Sequence, residues 1–262
     1  MRAARLLTLA LAFVLLGGAA PPADTYSPWV RADIELGGTS FRADAPSVLM
    51  RTRLSMARAV VLDEEVRQAR AEPLLNAFYH IVPAQSVLYV LGREHSEKIV
   101  ACTTTDTHVA ANIFSPEGRI DSPTCFVDNE PDGRFDEVRW GAWSPRTHAL
   151  LAQTVVAYDP AVAIDLAYEV IDAPPTFAAT QFLEVLFAVD PDRGVIEASV
   201  RGPDGAVLRR ERLSLRRVRT VRTFEFFASE IEVARVSESE FTWRPLRTPP
   251  VGHPFRLTWR GD

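Results

Sequence analysis

The chain has 262 residues, of which 47% are hydrophobic and 24% charged, and its formal net charge is −5. This composition is ordinary for a folded protein and excludes intrinsic disorder, a collagen-like chain and a multi-span membrane protein. Of the 29 basic residues, 28 are Arg and Lys98 is the single Lys. Because Arg fills every basic role, the bias indicates a chain-wide preference rather than a particular ligand.

Residues 1–23 have the layout of a secretory signal peptide. Arg2 and Arg5 precede the apolar run 6–16, and small residues follow that run. The run is shorter than the roughly 20 apolar residues that span a bilayer. Cleavage between Ala19 and Ala23 removes both arginines and changes the net charge from −5 to −7. We therefore expect a secreted or periplasmic protein without a transmembrane span in its mature chain; an uncleaved N-terminal anchor is the alternative.

The segment 47–71 carries two competing patterns. At positions 48–56 the even residues are apolar except Thr52, which predicts a strand with one buried face. A stripe at helical spacing is formed by Met50, Leu54, Ala57 and Val61. The residue types also favour helix, but we favour the strand because the rest of the chain has β character.

Short segments rich in β-branched and aromatic residues recur along the chain and predict strands. In chain order they are 86–91, 98–105, 162–171, 182–189, 195–200, 206–213, 224–227 and 231–236. The clearest is 195–201, in which apolar and polar residues alternate as in a half-buried strand. The segments 182–189, 195–200 and 206–213 follow one another closely and predict a meander.

Turn signals separate these segments. Pro-Asp-Gly stands at 131–133 and 203–205, Pro-Glu-Gly at 116–118, and Asp-Pro-Asp-Arg-Gly at 190–194. Pro presets φ for the first turn position, and Gly adopts the positive φ that closes the turn. Strands at this spacing predict a mainly β fold, either an antiparallel β-sandwich or a barrel-like meander, with little helix beyond the signal peptide.

The mature chain divides into a β region at 24–147 and a second β region at 148–262. Proline-containing boundaries are available near Ser144 and near 173–175. The two regions fit either two β subdomains or one continuous domain.

Cys102 and Cys125 are the two cysteines of the chain. In an exported protein an even pair predicts a disulfide, and a loop of this length stabilises the fold by roughly 3 kcal/mol. Two free buried thiols are the alternative. Zinc is a poor fit because two Cys supply half of a tetrahedral site and no His stands at finger-like spacing.

An acidic run at 128–136 surrounds one of the Pro-Asp-Gly turns. It resembles the Asp-rich calcium loops of EF-hands, with acidic residues at relative positions 1, 3, 5 and 9 and Gly at 6. The resemblance implies calcium ligands at Asp128, Glu130, Asp132 and Asp136. It departs from the pattern at position 3, which is Glu, at position 4, which is Pro, and at position 12, where Arg139 replaces the bidentate Glu. The alternative is a plain hairpin turn.

A basic stripe follows the predicted meander. It contains Arg209, Arg210, Arg212, Arg216, Arg217, Arg219 and Arg222, with Glu211 as its acidic member. Such a local reversal of charge in an acidic chain predicts an anionic partner such as lipid phosphate, an acidic glycan or an acidic protein face. The alternative is an exposed strand on which Arg stems cover apolar surface. Nucleic acid is not expected, because the chain as a whole is acidic and has no recognisable nucleic-acid module.

Candidates for catalysis are few. His95 and His108 lie in polar segments beside acidic or hydroxyl residues, but no nucleophile elbow, zinc-binding helix motif or phosphate-binding loop accompanies them. Trp140 and Trp143 suggest a sugar-stacking platform or ordinary packing.

The sequence as a whole predicts an exported, non-catalytic binding or structural module of the bacterial cell envelope. Its partner is expected to be an envelope component or another protein, and calcium is the one cofactor that its residues suggest. The alternatives are an envelope hydrolase whose site assembles from distant loops, and a weak calcium-binding surface protein or assembly subunit.

Overall fold

The computed structural model describes residues 25–71, 77–93, 96–103, 107–110, 118–120, 124–140, 154–155 and 161–257. Within them the chain is mainly β, and nearly all of its strand pairs are antiparallel. One short helix, α1, spans Pro175–Thr180, and a 3₁₀ turn spans Leu215–Arg217. This part of the chain contains no helix long and apolar enough to cross a bilayer. The prediction of a mainly β, antiparallel fold with little helix is confirmed.

The strands before residue 141 are short except for two long ones near the start. They are β1 (Thr25–Leu36), β2 (Ser40–Arg42), β3 (Ser47–Met56), β4 (Arg58–Val61), β5 (Val66–Ala71), β6 (Ala77–Val82), β7 (Val87–Gly92), β8 (Ile99–Cys102), β9 (Thr107–Ala110), β10 (Gly118–Ile120), β11 (Thr124–Asp128) and β12 (Arg134–Trp140). The segment 48–56 is thus a strand, as its period-2 pattern predicts.

The remaining strands include the predicted meander. They are β13 (Thr154–Val155), β14 (Val162–Ala167), β15 (Val170–Asp172), β16 (Phe182–Asp190), β17 (Val195–Arg201), β18 (Val207–Ser214), β19 (Val221–Phe226), β20 (Ser229–Arg235), β21 (Glu240–Arg247) and β22 (Phe255–Arg256). β16, β17 and β18 are neighbours in the same sheet, which confirms the meander. The single strand predicted at 162–171 is two strands, because β14 pairs with β12 whereas β15 pairs with β4.

The described strands form three sheets. The largest has 14 strands, and its main path runs β14-β12-β11-β8-β7-β1-β3-β16-β17-β18. Two four-stranded sheets have the orders β10-β9-β6-β5 and β19-β20-β21-β2. The large sheet takes strands from both halves of the chain, since β3 pairs with β16 from Ser55 opposite Phe182 to Ser47 opposite Val189.

The sheet β19-β20-β21-β2 packs on one face of the large sheet, and the two enclose a hydrophobic core as in a β-sandwich. Phe187 of β16 stands at its centre. Its ring meets Phe224 and Phe226 of the opposite sheet edge-on, with ring centroids 5.7 and 6.1 Å apart. The core side chains come from alternate positions of each strand, which is the origin of the period-2 patterns in the sequence.

The opposite half of the large sheet is buried on both faces. In β7, Tyr89 and Leu91 belong to the sandwich core, whereas Leu88 and Val90 belong to a second core on the other face. Strands with two buried faces are continuous apolar runs rather than alternating ones. This explains why β7 and β11 show no polar face in the sequence.

The two cysteines lie in this doubly buried region. Cys102 of β8 stands directly opposite Cys125 of β11, with Sγ atoms 2.06 Å and Cα atoms 4.1 Å apart. The separation is that of a disulfide. Next to it, Thr103 N–H donates to the Thr124 carbonyl at 2.9 Å, and Thr124 N–H donates to Thr103 Oγ1 at 3.0 Å.

Three of the predicted turns have the expected glycine geometry. Gly133, Gly194 and Gly205 have φ values of 87°, 60° and 78°. Each glycine adopts a conformation that a side chain would strain. They join β11 to β12, β16 to β17 and β17 to β18, so the turn signals also fix the registers of these hairpins. The fourth signal, 116–118, falls largely outside the described residues.

The position of Phe187 predicts a large loss of stability on truncation. Phe187 is fully buried, and we expect Phe187→Ala to lower the free energy of unfolding by about 3–5 kcal/mol, because the change removes apolar contacts and leaves a cavity. Val236→Ala is the control, since Val236 is 62% exposed, and should change stability by less than about 0.5 kcal/mol. Urea unfolding followed by tryptophan fluorescence measures both; equal effects would contradict the described core.

Candidate functional site

The basic stripe lies where both layers of the sandwich end. β18 is the last strand on the main path of the large sheet, and β19 is an edge strand of the four-stranded sheet. The segment 215–220, which includes the 3₁₀ turn, connects them. We call β18, this connection and β19 together the arginine side. It carries Arg209, Arg210, Arg212, Arg216, Arg217, Arg219 and Arg222.

Most of the arginine side faces solvent. Six of its seven arginines are exposed, and Arg209 is half-buried. Within β18 only Leu213 enters the sandwich core. The strand therefore remains attached to the sheet by its pairing with β17 and by one core residue.

One carboxylate contacts two of the three arginines of β18, and the third, Arg209, pairs with Glu211 at 3.2 Å. Glu197 of β17 stands directly opposite Arg212. Its Oε2 lies 2.9 Å from Arg212 Nε, 3.9 Å from a guanidinium nitrogen of Arg210 and 3.9 Å from one of Arg193. Arg193 also lies 3.3 Å from Asp190. Three guanidinium groups thus share two carboxylates, which leaves positive charge in excess.

The four arginines that follow β18 have no such partner within the described residues. Arg216, Arg217, Arg219 and Arg222 have no acidic group within 4.0 Å among the residues that the structure describes. An anion that binds them therefore breaks no ion pair seen within the described chain. The guanidinium group suits such a role, because it offers a planar fork of N–H donors to phosphate or carboxylate oxygens.

The predicted acidic loop forms the turn between β11 and β12. Its first residue, Asp128, is fully buried. Asp128 Oδ1 accepts a hydrogen bond from the backbone N–H of Glu130 at 3.0 Å, and Oδ2 accepts from Gly133 N–H at 3.2 Å and from the Tyr168 hydroxyl at 2.7 Å. A buried carboxylate is stable only when its oxygens are paired in this manner.

Two of the other acidic side chains of the loop, those of Asp132 and Asp136, also accept hydrogen bonds from its backbone. Asp132 Oδ1 accepts from Arg134 N–H at 2.9 Å, and Asp136 Oδ2 accepts from Asn129 N–H at 2.7 Å. Within the described residues no cluster of three or more His, Cys, Asp or Glu side chains is placed to hold a metal ion. The structure thus gives these carboxylates a role in fixing the turn, and calcium binding by Asp128, Glu130, Asp132 and Asp136 stays a prediction.

Tyr168 completes this cluster from a distant part of the chain. Its ring stacks on Phe135 with centroids 4.0 Å apart. Burial, followed by the hydrogen bond and negative charge of Asp128, raises the pKa of Tyr168 above its ordinary value. The phenol therefore stays protonated and keeps donating to Asp128 at every physiological pH.

The candidates for catalysis and for sugar stacking lie beyond what the structure describes. His95 and Trp143 fall outside the described residues, as do the side chains of His108 and Trp140. The hydrolase alternative and the stacking platform stay predictions.

Sequence reasoning missed Arg193, Glu197 and Tyr168. Glu197 had a signal in the sequence: it lies on the polar face of the predicted strand 195–201, beside the predicted strand that carries the arginines. Pairing these two segments as a hairpin places a carboxylate among the basic residues. No comparable signal links Tyr168 to Asp128, which stands 40 residues earlier.

Comparison with known proteins gives no match, whether to a family model, a curated protein or a solved structure. The arginine side and the acidic loop are therefore interpreted from their own geometry.

The contacts of Asp128 predict a structural role that needs no calcium. Asp128→Asn replaces one acceptor with a donor. An amide nitrogen at the Oδ2 position leaves Gly133 N–H without its acceptor, and one at the Oδ1 position leaves Glu130 N–H without its acceptor. We therefore expect a loss of about 1–3 kcal/mol in the free energy of unfolding. The loss should be the same with a calcium chelator as with millimolar calcium. The matched control is Asp132→Asn, whose side chain is exposed and which should cost less. A calcium-dependent rise in melting temperature that Asp132→Ala abolishes would identify a calcium site instead.

Proposed function

We propose that the protein is an exported, non-catalytic binding module of the bacterial cell envelope, and that the arginine side is its surface for anionic partners. The observation that carries the proposal is the group of exposed arginines without acidic partners in the described chain, Arg216, Arg217, Arg219 and Arg222. They stand in a chain whose overall charge is negative. A concentrated charge of opposite sign attracts and orients anionic partners.

The proposed location rests on two features. The N-terminal segment has the layout of a signal peptide. Cys102 and Cys125 lie at disulfide distance, and disulfides persist in oxidising compartments such as the periplasm or the extracellular space. Both features favour export over a cytosolic location.

The proposed chemistry follows from the groups on the arginine side. Guanidinium groups bind phosphate and carboxylate through charge-assisted hydrogen bonds. Lipid phosphate, acidic glycans and acidic protein faces all present such groups at the envelope. Because the arginines are exposed, the attraction is screened by salt, and binding should weaken as ionic strength rises.

The first prediction of this proposal concerns Arg216 and Arg217. We expect the double variant Arg216→Gln with Arg217→Gln to bind the envelope fraction roughly five- to thirtyfold more weakly, since each exposed cation near an anionic surface contributes about 0.5–1 kcal/mol. Fractionation at low salt, with quantitation of bound and free protein, measures the change.

A matched control has the same change in net charge elsewhere on the surface. Arg244→Gln with Arg247→Gln also removes two exposed arginines, but these are paired with Glu232 and Glu225. This variant should fractionate like the wild type. Equal behaviour of the two double variants would refute the arginine side as the binding surface.

The second prediction concerns export. Protein recovered from the periplasmic or extracellular fraction should begin between residues 20 and 24, because the signal peptide is removed by cleavage between Ala19 and Ala23. N-terminal sequencing measures this directly. Recovery of Met1 from that fraction would contradict cleavage, and recovery of the protein only from the cytosol would contradict export.

A further inference from the structure

We propose that β18 binds an acidic, extended peptide segment of a partner protein by strand addition. The inference rests on the proposed function, in that it takes the arginine side as the binding surface, and it names the partner class and the mode of binding. Its test separates failure of strand addition from failure of anion binding as such.

The first argument is the position of β18 in the sheet. β18 pairs with β17 from Ser214 opposite Val195 to Val207 opposite Arg201. Within the described residues no strand pairs with its other side. A strand in this position presents a row of backbone donors and acceptors to which an extended peptide adds.

The second argument is the direction of the backbone groups. Leu215 N–H donates to the Gly194 carbonyl at 3.0 Å, immediately beyond the pair Val195 and Ser214. In an antiparallel pair the residues that bond to the neighbouring strand alternate. Counting back from Leu215, the residues at 213, 211 and 209 bond to β17, and those at 214, 212 and 210 point their N–H and C=O groups outward.

The outward residues include two of the arginines. No backbone hydrogen bond to the outward groups of Arg210 and Arg212 occurs in the described chain. Their side chains also share one face of the sheet, because alternate residues of a strand do so. Arg210 and Arg212 therefore offer, at each position, both the backbone groups that an added strand needs and a cation beside them.

The third argument is that the spacing of Arg210 and Arg212 matches alternate acidic side chains on an added strand. An added strand places its own alternate side chains beside Arg210 and Arg212. Glu197, the acidic group nearest these arginines, lies on β17 and is already shared with Arg193. A ligand with acidic residues at alternate positions supplies the missing negative charge on that face.

The same charges disfavour a second copy of this chain as the occupant. Pairing β18 with itself in antiparallel register brings arginines of one copy close to arginines of the other, and like charges across a strand pair are destabilising. Charged residues on an edge strand prevent such self-association. An acidic peptide is therefore favoured over a second copy of this chain as the partner of β18.

The experiment uses the full exported protein and two synthetic acidic peptides of equal composition. In one peptide Glu alternates with Thr and Val; in the other the Glu residues are contiguous. We expect the alternating peptide to bind at least about fivefold more tightly, because it alone places its charges on one face while its backbone forms the ladder. Fluorescence anisotropy at low salt and at physiological salt measures both affinities.

A pair of variants separates the backbone from the side chain. Arg210→Gln and Arg210→Pro remove the same charge, but the proline also removes the outward N–H. Proline is tolerated on an edge strand where the N–H faces solvent, and a thermal melt checks that each variant is folded. We expect Arg210→Pro to weaken binding of the alternating peptide about fivefold more than Arg210→Gln.

Amide hydrogen exchange gives a readout that does not depend on any variant. Strand addition should slow exchange of the outward amides of Arg210 and Arg212 when the alternating peptide is bound, whereas contact through side chains alone leaves these amides exposed to water. Unslowed exchange with the peptide bound would overturn the proposal.

The remaining outcomes distinguish this inference from the proposed function. Equal binding of both peptides, with equal effects of the two Arg210 variants, overturns strand addition and leaves anion binding in place. Binding to vesicles of equal parts phosphatidylglycerol and phosphatidylcholine, without binding of either peptide, overturns it in favour of a membrane partner. Binding of neither probe, together with unchanged fractionation of the Arg216 and Arg217 double variant, overturns both proposals.

Discussion

The pairing of β3 with β1 on one side and β16 on the other is the interaction on which the rest of the structure depends. β3 pairs with β1 from Met50 opposite Leu36 to Met56 opposite Val30, and with β16 along nearly its whole length. It joins the strands that lead toward the disulfide to those that lead toward the arginine side. Its core-facing side chains also fill the centre of the sandwich. β3 is held both by backbone hydrogen bonds to its neighbours and by buried side chains. Its register with β1 and with β16 is therefore fixed, because a shift by one residue would expose those side chains.

The large sheet extends from β3 in two directions, and the strands in these two directions differ in burial and in the side chains they carry. Toward β7, β8 and β11 the sheet is buried on both faces and carries a disulfide, so the strands there are held by apolar contact and a covalent bond. In the other direction β17 is still well buried, whereas β18, the last strand, keeps a single side chain in the core. The disulfide and the two-faced burial therefore lie in the first direction, and the exposed arginines of β18 lie at the end of the second. Binding surfaces are commonly supported by a rigid scaffold in this manner.

The sequence predicted those strands and turns whose residue pattern matches the burial and backbone conformation found in the structure. The strand at 195–201 alternates because one of its faces is buried and the other is polar. Three turns were predictable because their glycines need positive φ. β1 was not predicted, although its residues from Val30 to Leu36 also alternate between apolar and polar. The cluster of arginines was visible, but its placement on two sheet edges depends on topology, and the Asp128–Tyr168 bond depends on residues far apart in the chain.

The cross-strand link between Cys102 and Cys125 has a consequence for how this protein tolerates change in length. The link and the adjoining hydrogen bonds of Thr103 and Thr124 fasten the chain at the point where it leaves the large sheet and at the point where it returns. The strands β9 and β10 that lie between belong to a separate sheet. Residues gained or lost in that excursion leave the pairing of β8 with β11 unaltered, because the cost of closing a longer loop grows slowly. A foreign sequence inserted in this excursion should therefore leave the large sheet intact.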